Sequence, residues 1–383
     1  MLRWARELSG KTIDDAAKRV RKNPTDIEAW ESDSVGSQPT VKQARALATF
    51  YGRSFLELLR PSPPDLYQPK TIPDFRSSRD KTSPEEDKIL EEVHLWAEIQ
   101  RQNALDLYSL NGEVPPEFPQ SLRGDLESDP ETVAEQCRAA IGFEIEDQVG
   151  LKKADKQKLP LLIRERLESA GLLTLRSSSL KKAKKFGICL AEYPLPTIVF
   201  ANTSPAHQSF TLSHEFGHVV LGQSAIVGPL RKSGYEPSVE RIERWCNRFA
   251  GAFLIPKSFL IQWLDRPTTP LAEISDSVLE DLADALRISQ HAMLVRLVEL
   301  GYVQADYYWN IKRQEFDNQE SKYKSFGRAK YFGSRYRNEL GDHYTGLVLS
   351  AWGSGKITNH NAAEFMGIKR LAHMNDIRSE FYG

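Results

Sequence analysis

The stretch that decides the fold of this chain runs from Phe210 to His218 and reads FTLSHEFGH. Its last five residues follow the pattern H-E-x-x-H. In a helix, His214 and His218 lie one turn apart on one face, where two imidazoles can bind a single zinc ion. Glu215 then lies beside the open coordination position and can accept a proton from water, which is the chemistry of a zinc peptidase.

The H-E-x-x-H pattern fixes only three positions, so its surroundings matter. An amphipathic helix with two partly buried histidines is the alternative interpretation. Here apolar residues flank the histidines on both sides, which predicts a largely buried helix and favours a metal site. Gly217, inside this helix, lowers helix stability relative to alanine. We therefore expect Gly217 to let another backbone or side chain approach the helix closely.

A zinc site needs a third protein ligand, which the helix predicted over residues 240–253 can supply. We prefer Glu243, because Asn247 lies one turn further along the same face, where a polar partner would support a ligand. Glu240 is the competing ligand. Cys246 is less favourable, because it points about 100° away from Asn247 on the helix. Ion pairs with neighbouring arginines are the alternative interpretation of both glutamates.

Residues of these two predicted helices resemble the ImmA/IrrE family of zinc metallopeptidases. Residues 210–218 are similar to the family pattern F-T-L-A-H-E-x-G-H, and residues 243–256 are similar to E-x-x-x-N-x-F-A-A-x-L-L-x-P. The resemblance implies three zinc ligands and one general base. These are His214, His218 and Glu243 as ligands and Glu215 as base. The resemblance also implies a zincin-like peptidase domain.

Two further residues complete the predicted site. Asn247 would orient a ligand imidazole, and Tyr235 is a candidate donor to the oxyanion. Two departures from the family pattern matter: residues 207–209 read His-Gln-Ser where a basic residue is common, and Cys246 replaces a usual alanine. Neither departure removes a catalytic atom, but either could alter how a substrate binds.

Short strands are predicted before the H-E-x-x-H helix. Residues 161–170 form a predicted helix, and predicted strands follow at residues 172–175, 186–190 and 196–202. The last strand is β-branched and apolar, and prolines and an asparagine bound it. In zinc peptidases an edge strand beside the catalytic helix commonly pairs with the extended substrate. An ordinary core strand is the alternative interpretation.

The N-terminal residues 1–60 predict a separate helix-turn-helix unit. Its four short helices are predicted at residues 2–8, from Thr12, from Asn23 and at residues 41–51. Three stretches resemble the XRE-type helix-turn-helix, namely Trp30-Glu31, Gln38-Pro39-Thr40 and Ala46-Leu47-Ala48. The expected recognition helix, residues 24–33, contains no lysine or arginine, whereas DNA affinity depends on cations that meet phosphates. Protein contacts or dimerisation are therefore the favoured alternative to DNA binding.

The predicted fold class is α+β and mostly α, in four parts. They are an XRE-like helix-turn-helix at residues 1–60, a proline-rich linker at 61–83, a zincin-like zinc peptidase domain with a small sheet, a helical insertion and a lid at 84–305, and a helical C-terminal region at 306–383. Residues 312–337 are rich in cations and aromatic rings. Such a segment can bind single-stranded nucleic acid, but a solvated loop with anchoring rings is the favoured interpretation.

Composition restricts the classes of function. The 383 residues carry a net charge of −1, so no overall attraction to nucleic acid or anionic membranes is expected. No apolar run approaches the ~20 residues that a membrane-spanning helix needs. The three cysteines are scattered and odd in number, which favours a reducing cytoplasm without structural disulfides.

The sequence therefore predicts a cytoplasmic, zinc-dependent endopeptidase with Zn2+ as its cofactor. The family resemblance implies a specific protein substrate, a repressor or a toxin-system partner, in a stress response or a mobile element. Two alternatives are a DNA-binding regulator and an antitoxin that acts by complex formation, each with a zinc site that does not turn over. DNA contact through the helix-turn-helix and homodimerisation are further hypotheses, and no membrane partner is expected.

Overall fold

The structure is a computed structural model, and its described part contains far more helix than strand. The described residues are 1–32, 37–53, 55, 57–59, 83–152, 157–227, 237–264, 267, 269–321, 332–368 and 370–382. Over these residues the fold is α+β and mostly α, as predicted. Residues 61–82 of the predicted linker, Tyr235, and residues 322–331 of the basic, aromatic segment lie outside the described part.

Four short helices form the N-terminal part of the chain. They are α1 (Leu2–Leu8), α2 (Ile13–Val20), α3 (Pro24–Glu31) and α4 (Val41–Tyr51). Capping boxes begin α2 at Thr12 and α4 at Thr40, where each threonine side chain accepts a hydrogen bond from the third residue of its helix. Arg6 donates to Glu31 at 2.7 Å and connects α1 to α3. The assignment as an XRE-type helix-turn-helix remains a prediction.

Four helices follow along the chain before the first strand. They are α5 (Pro84–Asn111), α6 (Pro130–Ala140), α7 (Ile145–Val149) and α8 (Lys158–Ser169). Buried Arg138 of α6 donates to the carbonyl oxygen of Phe253 at 2.6 Å. This hydrogen bond ties α6 to the helix that carries the predicted third ligand.

The sheet in the described residues has four strands in the order β1-β3-β2-β4. The strands are β1 (Leu173–Ser177), β2 (Gly187–Leu190), β3 (Thr197–Ala201) and β4 (Ala225–Val227). β1 is parallel to β3, and β2 is antiparallel to both β3 and β4. The first three strands confirm the predicted ones, while β4 was not predicted. Because β3 lies between β1 and β2, it is an ordinary core strand, and the edges of the sheet are β1 and β4.

The two helices of the predicted site are α9 (Pro205–Val220) and α10 (Pro237–Leu254). Ser204 caps α9, because its side chain accepts a hydrogen bond from the backbone of His207 at 3.3 Å. The helices meet at Gly217, where a Cβ atom would lie 3.1 Å from Phe249 Cδ1 and 3.4 Å from Cys246 Cα. The close approach expected at Gly217 is therefore confirmed, and it brings together the helices that carry His214, His218 and Glu243.

Further helices follow α10. They are α11 (Lys257–Trp263), α12 (Asp276–Ala285), α13 (Gln290–Glu299), α14 (Ala305–Tyr307), a π-helical turn (Tyr308–Lys312), α15 (Arg313–Ser321), α16 (Phe332–Leu340), α17 (Asp342–Gly353), α18 (Asn359–Phe365) and α19 (Ala372–Tyr382). Leu282 of α12 and Leu294 and Leu297 of α13 are buried in the same core as residues of α9 and α10. The helices α15 to α19 lie in the segment predicted as a helical C-terminal region.

The chain divides into two compact units. One comprises Met1–Thr71, Leu95–Glu113 and Gly346–Gly383, and the other comprises Ile72–His94 and Val114–Thr345. In the first unit, the backbone N–H of Phe55 donates to Glu364 Oε1 at 2.9 Å, which joins the N-terminal helices to α18. The second unit contains the sheet, α9 and α10. The domain limits given in the sequence analysis remain predictions. Of the helices described, none combines the length and the apolar character that crossing a bilayer requires.

Candidate metal centre

Three side chains from α9 and α10 converge in the second unit. His214 Nε2 lies 3.2 Å from His218 Nε2 and 3.5 Å from Glu243 Oε2. His218 Nε2 lies 3.3 Å from Glu243 Oε1. All three side chains are buried. In the described parts of the chain, this is the one group of histidine, cysteine, aspartate or glutamate side chains whose spacing could hold a metal ion.

The spacing of these side chains fits a tetrahedral ion. Zinc bonds of about 2.0–2.2 Å to nitrogen or oxygen place neighbouring ligand atoms about 3.3–3.6 Å apart in a tetrahedron. The observed separations of 3.2, 3.5 and 3.3 Å lie close to that range. Two imidazole nitrogens with one carboxylate are also a donor set that catalytic zinc uses, with a fourth position left open. The residues present therefore fit zinc, although their roles as ligands remain predictions.

The ionisation of the group also suits a cation. Burial lowers the pKa of His214 to about 4, and the nearby Glu243 only partly opposes this shift. His214 is therefore neutral at pH 7 and has a lone pair to offer. Burial disfavours the charged form of Glu243, but the adjacent imidazoles of His218 and His214 outweigh it, so the pKa of Glu243 is lowered. A neutral imidazole beside a carboxylate is the form that binds a metal.

Glu215, the predicted base, is fully buried next to this group. Neither of its carboxyl oxygens has a hydrogen-bond partner among the described residues. Burial, with a smaller contribution from the charge of Glu243, raises the pKa of Glu215 well above its ordinary value. An unpartnered buried carboxyl is unfavourable for stability. Its raised pKa suits a group that carries a proton.

Asn247 lies behind His214, on the side away from the converging nitrogens. His214 Nδ1 and Asn247 Oδ1 are 3.0 Å apart. When Nδ1 carries the proton and donates it to Asn247, the neutral ring keeps its lone pair on Nε2, the atom that faces His218 and Glu243. This is the arrangement predicted for Asn247 from its position one turn after Glu243.

The competing ligands of the sequence analysis lie elsewhere. Glu240 accepts a hydrogen bond from Arg244 at 2.6 Å on the surface of α10, which is the ion pair considered as the alternative. Cys246 is buried against Gly217, and burial raises the pKa of its thiol well above the ordinary value. A neutral thiol is a poor zinc ligand. Neither residue belongs to the converging group.

Sequence reasoning missed two residues beside the centre. Gly187 of β2 faces Glu215, and a Cβ atom at Gly187 would lie 2.5 Å from Glu215 Cδ. The positive charge of Lys185, two residues earlier, contributes to the lowered pKa of Glu243. A glycine inside a predicted strand does signal a close approach, but that signal does not tell which group approaches.

A comparison with protein families agrees with this geometry. Residues 173–298 match the model of the peptidase family M78, described as an IrrE N-terminal-like domain. The matched segment begins with β1 and contains the whole sheet together with α9 and α10. No curated protein matches the chain. Residues 173–298 are thus similar to an M78 peptidase domain, and this similarity supports a metallopeptidase.

Proposed function

We propose that this chain is a zinc-dependent endopeptidase. The observation that carries the proposal is the position of Glu215. Its buried carboxyl has no hydrogen-bond partner among the described residues, and it directly follows His214 of the converging group. A purely structural zinc site is usually closed by four protein ligands and has no need of a base. Three ligands with an adjacent buried carboxyl indicate a site for hydrolysis.

The side chains divide the chemistry between them. His214, His218 and Glu243 would hold the ion. A bound zinc ion supplies Lewis-acid polarisation of the scissile carbonyl and lowers the pKa of water. Glu215 accepts a proton from the attacking water and returns it to the leaving amine. The raised pKa of Glu215 suits the second transfer, because burial favours the protonated carboxyl that donates the proton.

The proposed substrate is one regulatory protein, either a repressor or a toxin-system partner. Support comes from the resemblance of α9 and α10 to the ImmA/IrrE pattern and from the match of residues 173–298 to an IrrE N-terminal-like domain. A stress response or a mobile element is the proposed context. Cys137, Cys189 and Cys246 are all free and buried, which supports a reducing compartment such as the cytoplasm.

The N-terminal helices are proposed to contact a protein rather than DNA. α3 exposes Glu28 and partly exposes Asp26, and it contains no lysine or arginine. Its last residue, Glu31, is already paired with Arg6. Binding to phosphates requires cations, so the charge of α3 favours a protein surface, or a second copy of this chain, over the major groove of DNA.

The test compares wild type with Glu215→Gln. Metal content is measured by mass spectrometry, and each protein is incubated with lysate of the native host and with the products of adjacent genes. We expect one zinc per chain in both proteins and a new fragment only with wild type. Zinc in both without a fragment would favour the regulator or the antitoxin. Absence of zinc from freshly purified wild type would refute the metal site itself.

A further inference from the structure

Gly187 lies directly beneath the carboxyl group of Glu215. It is the first residue of β2, and its Cα pairs with Phe200 of β3 on one side and with Val227 of β4 on the other. A Cβ atom built on Gly187 would lie 2.8 Å from Glu215 Cγ, 2.5 Å from Cδ and closer still to Oε1. Real Cβ atoms do not approach other heavy atoms so closely. Any side chain at residue 187 would therefore occupy the position of the glutamate.

Residue 187 is a glycine because a side chain there would have no space, and not because its backbone conformation requires a glycine. Several glycines of this chain have a positive φ, but Gly187 is not among them. Alanine could therefore adopt the backbone conformation of Gly187 without strain. What excludes alanine is the Glu215 side chain, which reaches β2 from α9.

The orientation of β2 agrees with this assignment. Side chains two residues apart in a strand point to the same face of the sheet. Cys189 lies two residues after Gly187, is fully buried and belongs to the same core as Phe216 of α9. The charge of Glu215 also contributes to the raised pKa of the Cys189 thiol, after burial. The face of β2 that carries residues 187 and 189 is thus the face that is turned towards Glu215.

We propose that Gly187 is a positioning residue for Glu215, because its missing side chain leaves the recess that holds the carboxyl beside the metal-binding group. The catalytic meaning of this recess rests on the proposed function, whereas the steric relationship does not. Around α9, His214 points about 100° and His218 about 60° away from Glu215, and Glu243 lies on α10. A side chain at residue 187 is therefore expected to displace the base while the three ligands stay in place.

The steric relationship is tested without any activity. Four metal-free proteins are compared by thermal unfolding: wild type, Gly187→Ala, Glu215→Ala and the double variant. Glu215→Ala removes all three atoms that a Cβ at residue 187 would meet. In the wild-type background, Gly187→Ala is expected to lower Tm by about 5 °C or more. In the Glu215→Ala background, the same substitution is expected to leave Tm unchanged or to raise it, since alanine restricts the unfolded chain.

This comparison of the four proteins, a double-mutant cycle, tests the proposal even if the single variant Gly187→Ala does not fold. A double variant that folds like Glu215→Ala would then show that Glu215 is the obstacle. Equal losses of Tm in both backgrounds would overturn the proposal, and so would a double variant that fails to fold while Glu215→Ala folds. Neither outcome depends on whether the chain cleaves a protein.

The catalytic part of the proposal needs zinc binding and cleavage measured side by side. Gly187→Ala is expected to keep one zinc per chain. Its cleavage rate is expected to fall at least about 100-fold, because loss of a general base typically lowers a rate by that much or more. The double variant should be no slower than Glu215→Ala. Cleavage by Gly187→Ala at the wild-type rate would overturn the positioning role. If wild type cleaves nothing, the proposed function fails, while the unfolding cycle still decides whether Gly187 makes room for Glu215.

Discussion

The Nδ1 atom of His214 and the Oδ1 atom of Asn247 are 3.0 Å apart, and this contact joins α9 to α10 behind the candidate metal centre. A proton on Nδ1 leaves the Nε2 lone pair directed at His218 and Glu243. The contact therefore selects the tautomer and the ring orientation that a zinc ligand needs, before any ion binds. Under the proposed function, Asn247 would orient His214 for the ion without being a ligand itself.

Replacing Asn247 by leucine should weaken zinc binding. Leucine keeps a similar branched shape but accepts no hydrogen bond, so the His214 ring loses its fixed tautomer. We expect the zinc affinity to fall about 10–100-fold, the usual effect of removing such a partner. A competition titration with a chromophoric chelator measures the change. Arg244→Gln, an exposed substitution on the same helix, should leave the affinity unchanged; an equal loss there would show that α10 is disturbed generally.

Glu243 and Glu240 should differ sharply as ligands. Glu243→Gln removes the negative charge at the converging group, and we expect the purified protein to contain no stoichiometric zinc. Glu240→Gln removes only the surface ion pair with Arg244, and surface pairs of this kind contribute about 0–1 kcal/mol to stability. Metal analysis of both variants makes the comparison. The opposite pattern, with zinc lost only from Glu240→Gln, would reverse the ligand assignment.

The metal-free protein should lose stability as the pH falls from 7 towards 4. The pKa of His214 is about 4 in the folded chain, against an ordinary value of 6.5. In this window the unfolded chain binds a proton that the folded chain does not, so acid favours unfolding. The shift corresponds to roughly 3 kcal/mol once the pH is below both values.

Urea unfolding at several pH values measures this dependence. His214→Gln, which cannot titrate, is the matched control, because other groups such as Glu243 still ionise in both proteins. Between pH 7 and 4 the wild type should lose more free energy of unfolding than the control. Parallel pH profiles for the two proteins would contradict the low pKa of His214.

Gly341→Ala should destabilise the second unit. Gly341 has a φ of +88°, and a Cβ atom there would lie 2.9 Å from Arg164 Nη2 and 3.0 Å from the Thr174 carbonyl oxygen, with Glu168 closer still. Arg164 and Glu168 form a buried ion pair at 3.1 Å. Backbone strain and the disturbed pair together should lower the free energy of unfolding by roughly 2–4 kcal/mol.

A second glycine supplies the control for this prediction. Gly353 ends α17, a Cβ atom added to it would meet no other atom within 4 Å, and its backbone is not in the left-handed region. Gly353→Ala should leave the melting temperature unchanged or raise it slightly, since alanine favours helix. Thermal unfolding of both variants measures the difference. Equal behaviour of the two variants would show that the Arg164 and Glu168 pair does not depend on Gly341.

Much of the fold could be predicted because its signals are local. The pairing of His214 with His218 needs only the four-residue spacing of a helix turn. The starts of α2 and α4 follow from capping residues at Thr12 and Thr40. Apolar, β-branched residues mark β3. The short strand β4 was missed because three residues are too few to show an alternation of apolar and polar side chains.

The sequence by itself determined the two helices, the spacing of the histidines on α9, and the residue types that could complete the centre. Only the tertiary structure decided that Glu243 meets them and Glu240 does not, because that choice depends on where α10 crosses α9, at Gly217 and Cys246. It also decided that Gly187 faces Glu215. Spacing within one helix is set by its own backbone, whereas contacts between elements are set by the packing of residues far apart in the chain.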